Sequence, residues 1–318
     1  MVNLGNRNKF DNSALLKCAI LSRYESEIYE SIVDLLREKV LLFEYASAKF
    51  LQVLNGVVGV DFDVLISLGG DGTFLKILRA FYYSVGVFIP INAGKIGFLT
   101  NKWDCSNFSG EKLITALKVM ANLKEERVKS FSVDYLDEIN AQLLKREVKP
   151  GIIKRRMVAF WLKKDVEGGE KRCVKNFDFG LNEIYLTTAV PGRVFEFEVW
   201  VDDVRWGRFR GDGLIVSSQS GSTGYALSTG GPVVNIDALI VVPVAIHSAM
   251  LPRSLVLGVE SKISVRALSD GLIVVDGQRF WQFEVGEVVE VSSWKEARVL
   301  YFEGYNYLKR INEKLLHQ

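Results

Sequence analysis

The 318-residue chain is 48% hydrophobic and 25% charged, the profile of a soluble globular protein with room for two domains. A formal net charge of +2 gives no electrostatic footprint for nucleic acid or an anionic membrane, so neither is expected as a partner. Three scattered cysteines without a Cys-x-x-Cys pair argue against a disulfide framework or a zinc site.

Cys18, Cys105 and Cys173 are expected as buried free thiols. Only His247 and His317 are present, so carboxylates are the expected acid–base groups. The N-terminal MVNLGNRNKFDN lacks the apolar core of a signal peptide, and the longest apolar stretch, Ala238 to Ile246, is too short to span a bilayer. A cytoplasmic protein is expected.

In chain order, Lys17 to Leu21 reads as a strand. Glu25 to Lys39 follows as an amphipathic helix with Ile28, Ile32, Leu35 and Leu36 on one face. Val40 to Phe43 is a short strand and Tyr45 to Leu54 a second helix. Val64 to Leu68 is an apolar run typical of a buried parallel strand, and Phe74, Leu75, Ile77 and Leu78 form the apolar face of the next helix. Val85 to Ile91 is a further strand, ending in Pro90-Ile91-Asn92-Ala93-Gly94. This alternation implies a Rossmann-like parallel sheet with helices on both faces and ligands beyond the carboxyl ends of its strands.

After about residue 125 the texture changes. Strand character recurs at Phe131 to Leu136, Met157 to Leu162, Glu183 to Leu186, Phe195 to Val201, Leu214 to Ser217, Ile263 to Val265, Leu272 to Val275 and Val288 to Val291. The basic stretch from Asn140 to Arg156 reads as a surface insertion. Tyr307 to Leu316 returns to helical spacing. The expected organisation is an α/β domain over 1–124, a β-rich domain over 125–302, and a C-terminal helix within 303–318 that packs back on the first domain.

Gly69-Gly70-Asp71-Gly72-Thr73 sits between a strand and a helix. Glycines there let main-chain amides approach a phosphate at a helix N-terminus. The aspartate repels such a ligand unless it has a task, such as accepting a proton from an attacking hydroxyl. The alternative is a tight turn in which Asp71 caps the helix. A second cluster, Gly211-Asp212-Gly213 followed by Ser218-Gln219-Ser220-Gly221-Ser222-Thr223-Gly224-Tyr225, can wrap a polar ligand, or can be an ordinary serine-rich loop. Asn182-Glu183 can read hydroxyls and ring nitrogens. Asp276-Gly277-Gln278 looks first like a hairpin turn.

Together these features resemble the NAD kinase family, part of the wider two-domain architecture shared with diacylglycerol kinases. GGDGTFLK, INAGKIGFLT, LNEIYL, DGLIVSSQSGSTGYALSTGGPVV, VPVAIHSAMLPRSLVL and the late Asp-Gly-Gln fall in the family's order from residue 64 to 278. Three positions depart: Ser218-Gln219-Ser220 stands for Thr-Pro-Thr, Gly224 for alanine, and Ile246 for proline. Losing a proline loosens a loop, so these bear on substrate affinity rather than on the chemistry.

The resemblance implies transfer of a phosphoryl group from ATP, or in some members inorganic polyphosphate, to the 2′-hydroxyl of the adenosine ribose of NAD. It casts Asp71 as the catalytic base, with Gly69, Gly70, Gly72, Thr73 and Lys76 at the donor phosphates. Asn92, Asn182 and Glu183 join the nucleotide-binding set, with Asp212 at the nicotinamide end. Ser220, Thr223, Gly224, Tyr225 and Ser228 would line the adenine and phosphate pocket, Arg193 would reach dinucleotide phosphates, and Gln278 would close the site. His247 is expected to be structural. Magnesium is implied with the phosphoryl donor, no protein-bound metal is assigned, and a homodimer or homotetramer is implied. A lipid kinase shares the glycine turn but needs an apolar acceptor pocket, whereas Ser217 to Thr229 suits a polar acceptor. A phosphofructokinase-like sugar kinase and a non-catalytic NAD(P) sensor remain the other readings.

Overall fold

The computed structural model describes residues 16–46, 61–92, 97–103, 107–126, 139–142, 151–165, 172–190, 192–247, 253–302 and 306–313. The chain divides into two compact units, one of Met1–Lys154 and Arg298–Gln318 and one of Arg155–Ala297.

The first unit is built on β1 (Lys17–Ser22), β2 (Leu41–Ala46), β3 (Phe62–Leu68) and β4 (Val85–Asn92). They pair in parallel in the order β2-β1-β3-β4, and the short β5 (Asn101–Lys102) lies parallel to β4. These strands are apolar on both faces because helices cover both. On one face α1 (Glu27–Leu36) and α3 (Asn107–Glu126) pack Ile32, Val33, Leu36, Leu113, Leu117 and Met120 against Val64, Ile66, Val87 and Ile89. On the other, α2 (Asp71–Phe81) sets Phe74 edge-on to Phe88, 6.1 Å between ring centres. Ser26 caps α1 by accepting from the Tyr29 N–H, and Glu27 and Glu30 complement its dipole. The unit also holds the end of β17 (Val288–Tyr301), where Val299 pairs with Phe88, and α5 (Tyr307–Ile311).

Two expectations need correcting here. Tyr45 and Ala46 belong to strand β2 rather than to a helix, and the remainder of the expected 45–54 helix lies outside the described residues. Cys18 is buried as expected, but Cys173 is exposed. Cys105 and the expected strand at 131–136 lie outside the described residues. Within the expected surface insertion, Gly151 to Arg156 opens the strand β6 (Gly151–Asp165), and 143–150 lies outside the description.

The second unit is a β-sandwich. One layer contains β6 with its antiparallel partner β7 (Arg172–Gly180), and the antiparallel run β10-β9-β14-β17. Here β9 is Phe195–Val201, β10 Val204–Gly211 and β14 Lys262–Ala267. The second layer is a six-stranded antiparallel sheet in the order β13-β12-β11-β8-β15-β16. Its strands are β8 (Glu183–Thr188), β11 (Gly213–Ser217), β12 (Leu239–Val244), β13 (Leu255–Leu257), β15 (Gly271–Val275) and β16 (Arg279–Phe283). Alternate residues face inward, so Phe160, Ile184, Leu186, Phe195, Phe197, Leu214, Val216, Val265 and Ile273 form one core. The outer face of the second layer buries Ile215, Ile240 and Val242 under Ala226 of the short helix α4 (Tyr225–Ser228) and under Val234. Among the described residues no helix is long and apolar enough to cross a membrane.

Candidate active site

In the first unit, β3 ends at Leu68 and the chain turns through Gly69. Gly69 has φ +147°, and a Cβ there would lie 2.8 Å from the Thr73 side chain, so the turn requires glycine. Its N–H donates to Ile91 O at 2.9 Å, tying the turn to the end of β4. Gly70 is the N-cap residue of α2, with its carbonyl accepting from Thr73 and Phe74 N–H. Gly70, Gly72 and Lys76 are exposed, and Thr73 is half-buried.

Asp71 occupies the first helical position, but its side chain does not cap the helix. The carboxylate reaches instead to the segment after β4. Oδ2 accepts from Phe98 N–H at 2.7 Å, and Oδ1 accepts from Leu99 N–H at 3.2 Å and from the Thr100 hydroxyl at 3.1 Å. The helix-capping alternative is thereby replaced by a long-range brace. An ionised carboxylate offers about four acceptor sites, and three are filled among the described residues. The remaining one is on Oδ2. Asn92, expected to touch nucleotide, is buried and donates to Thr100 Oγ1 at 3.1 Å, which aims the threonine proton at Asp71.

Gly97 lies against this carboxylate, and a methyl group built on it would overlap Asp71 Oδ1. Gly97→Ala is therefore expected to displace the carboxylate and lower turnover by about tenfold or more while the protein stays folded. Steady-state kinetics with a thermal melt checks this, and wild-type turnover would mean the loop yields at no cost.

In the second unit, Asn182-Glu183 stands at the start of β8, an interior strand. Asp276-Gly277 is the hairpin turn expected from its sequence. Asp276 has φ 49° and Gly277 φ 64°, and Gln278 N–H donates to Val275 O at 2.9 Å, which makes a type I′ turn between β15 and β16. The turn also does what the sequence reading missed. The Asp276 carboxylate accepts from the N–H groups of Leu181 (3.0 Å), Asn182 (2.8 Å) and Glu183 (3.2 Å). Only a turn that folds back onto the β7–β8 connection makes this visible.

Glu183 is 6% exposed. Burial, and then the neighbouring Asp276 carboxylate, push its carboxyl up to about 8, against the opposing pull of the Tyr225 N–H. Glu183 Oε2 and Asn182 Oδ1 are buried without a hydrogen-bond partner among the described residues. Gly224 faces them, since a Cβ there would lie 3.1 Å from Glu183 Oε2 and 3.5 Å from Asn182 Nδ2. A side chain at Gly224 would therefore crowd Glu183 Oε2, which glycine avoids.

The raised value of Glu183 has a definite sign. Folded protein keeps a proton that the unfolded chain has released, so stability falls as pH rises from about 4.5 to about 8 and then levels off. Glu183→Gln is expected to remove this contribution, which approaches about 1.4 kcal/mol per pH unit within the window. Urea midpoints of both proteins at low and high pH check it, and equal pH slopes would contradict it.

The serine-rich loop is stitched to this pair rather than loose. Asn182 O accepts from Ser218 N–H (2.9 Å) and Ser217 Oγ (3.1 Å), and Leu181 O accepts from Ser218 Oγ at 2.5 Å. Gly221 N–H donates back to Ser218 Oγ at 3.3 Å, so a serine hydroxyl anchors the loop where the related motif has proline next to threonine. Ser220 is buried, and its carbonyl accepts from Thr223 Oγ1 at 3.2 Å. Tyr225 is 43% exposed, and its ring meets Tyr185 edge-on at 5.3 Å. Tyr185 in turn donates to the carbonyl of the exposed Asp212 at 3.3 Å. Asn182, Glu183, Gly224, Tyr225 and Asp212 are therefore linked. Arg193 and Ser228 are exposed and their side chains make no hydrogen bond among the described residues, while Gln278 is half-buried beside the turn. His247 is exposed, held by its backbone N–H to Arg210 O at 2.7 Å.

A family profile described as the ATP-NAD kinase N-terminal domain matches residues 24–118, and one described as the ATP-NAD kinase C-terminal domain matches 181–301. The chain is 30% identical over 306 residues to an NAD kinase of Clostridium botulinum (strain Loch Maree), covering 92% of this chain and 94% of that one. The chain belongs to the NAD kinase family. A second family member, from Methanocorpusculum labreanum, is 27% identical, with 94% of this chain and 99% of that one covered. The fold of the NAD kinase family is also found by superposition. An Archaeoglobus fulgidus NAD kinase crystallised with ATP matches with TM-score 0.64 at 24% identity, over 95% of this chain and 99% of that one. A yeast NADH kinase crystallised with NADH matches with TM-score 0.68 at 17% identity, over 95% of this chain and 88% of that one.

Proposed function

We propose that this protein is a working NAD kinase that moves the terminal phosphoryl group of ATP to the 2′-hydroxyl of the adenosine ribose of NAD, giving NADP. The observation that carries the reading is Asp71, a carboxylate at a glycine strand-to-helix turn whose Oδ2 accepts only from Phe98 N–H among the described residues. In the proposed step the ribose oxygen forms a bond to the γ-phosphorus, the bond from that phosphorus to the ADP oxygen breaks, and the hydroxyl proton passes to Asp71 Oδ2. The exposed residues Gly70 and Lys76 at this turn suit charge on the transferring group.

Adenosine presents hydroxyl and amino donors for Asn182 Oδ1 and ring-nitrogen acceptors for the protonated Glu183 carboxyl, and both buried oxygens are without a partner among the described residues. The exposed face of Tyr225 suits stacking of the base. ATP and NADH bound to the Archaeoglobus and yeast structures favour both ligands. Magnesium is proposed to arrive with the phosphoryl donor. When bound there it neutralises phosphate charge. We carry with this reading a homodimer or homotetramer, in which the exposed Arg193 serves the dinucleotide phosphates.

The test is purified protein with magnesium, NAD or NADH, and ATP or polyphosphate, with NADP read by a coupled dehydrogenase. NADP formed from ATP is expected. Tight NAD binding without NADP would make the protein a sensor, and transfer of labelled phosphate from ATP to diacylglycerol offered in place of NAD would make it a lipid kinase.

A further inference from the structure

We propose that Arg310 is a positioning residue for the reaction, holding the Asp71 carboxylate in place through the peptide groups of residues 97–100. Arg310 Nη1 lies 3.0 Å from Gly97 O, 3.3 Å from Phe98 O and 2.6 Å from Thr100 O. The fourth carbonyl of the segment, Leu99 O, accepts from the Tyr301 hydroxyl at 3.1 Å. The guanidinium is itself set over the Tyr301 ring, 5.2 Å from its centroid. Asn101, next along, is fixed by Nδ2 donation to Pro90 O and Leu300 O at 2.9 Å each, and accepts from Phe302 N–H at 2.9 Å.

The geometry is directional. The carbonyl of Gly97 and the N–H of Phe98 belong to one peptide group, as do the carbonyl of Phe98 and the N–H of Leu99. In each, the oxygen faces the guanidinium and the N–H faces Asp71. Two peptide dipoles therefore stand in line between a fixed cation and the carboxylate, each polarised toward it from behind. Without the cation, those carbonyls lose the partner that keeps their N–H groups turned to Asp71. A displacement on the order of 1 Å at a reacting group can cost up to about 10²-fold in rate.

The inference rests on the reading of Asp71 as base, and a double-mutant cycle separates the two. In the full-length protein, Arg310→Met is expected to lower kcat about tenfold or more with KM for NAD within about twofold, and Arg310→Lys, a point charge without the planar fork, to recover part of the loss. In an Asp71→Asn background, the same Arg310→Met change should alter the residual single-turnover rate by less than about twofold, since the group it positions is gone. Amide exchange at Phe98 and Leu99 should be faster in Arg310→Met. Wild-type kcat in Arg310→Met, or an undiminished loss in the Asp71→Asn background, overturns the role of Arg310 while leaving the base assignment standing. Wild-type turnover in Asp71→Asn alone removes both. Should Arg310→Met fail to fold, Arg310→Gln and Tyr301→Phe complete the same cycle.

Discussion

Replacing Asp71 with asparagine is expected to cut turnover by a factor on the order of 10² or more, the usual worth of a general base. The fold and NAD affinity should persist, because asparagine fills the same volume and α2 does not depend on this side chain for its cap. A local cost is unavoidable. The amide presents one oxygen and one donor nitrogen to Phe98 N–H, Leu99 N–H and the Thr100 hydroxyl. Only the hydroxyl can reverse its role, so one backbone N–H loses its acceptor in either orientation, at about 1–3 kcal/mol. Kinetics beside calorimetric NAD titration and denaturant unfolding separates these effects. Turnover equal to wild type would remove Asp71 from the chemistry, and a collapse of NAD binding would make its role structural.

The second large effect is on stability. Asp276→Ala removes the acceptor for three consecutive amide donors, those of Leu181, Asn182 and Glu183. At about 1–3 kcal/mol for each donor left without a partner, a loss of about 2 kcal/mol or more is expected even if water reaches one of them. An opposing gain comes from removing the carboxylate that faces Glu183, but it is the smaller term at neutral pH, where the raised Glu183 carboxyl keeps most of its proton. The same change should move Glu183 back toward the ordinary carboxyl range. NAD affinity should fall too, since residues 181–183 set where the Asn182 and Glu183 side chains begin. Asp276→Asn retains an acceptor for two of the three amides and should lose markedly less. Unfolding midpoints that coincide for wild type and Asp276→Ala would show that the brace carries little free energy.

Much of this protein is legible in its sequence because its signals are local. The glycine turn after Val64–Leu68, the helix face of Phe74, Leu75, Ile77 and Leu78, and the Asp276-Gly277 hairpin each express a rule that operates over a few residues. What escaped depends on distance along the chain. Strands β10 and β16 carry charges such as Arg205, Arg208 and Arg279 on their exposed sides, paired with Glu198, Glu196 and Asp178, so they lack a plain apolar run. Helix α3 is the exception, since its buried Leu113, Ala116, Leu117 and Met120 recur at local helical spacing. Tyr45-Ala46 continues a strand because parallel pairing with Leu21 and Ser22 outweighs local helical spacing. The site shows the same division. Asp71 and Glu183 stand out by motif, whereas the bonds that orient them, from Phe98 and Thr100 to Asp71 and from Glu183 to Asp276, join residues far apart in sequence and exist only when the chain has folded.

The bond from Arg310 to Gly97 spans 213 residues of sequence. A growing polypeptide on the ribosome therefore carries β1 to β4 and the glycine turn long before the cation that backs the 97–100 segment has been synthesised. Nascent chains halted short of residue 310 lack these bonds behind the 97–100 segment, so the full set of contacts around the Asp71 carboxylate can close only near the end of synthesis.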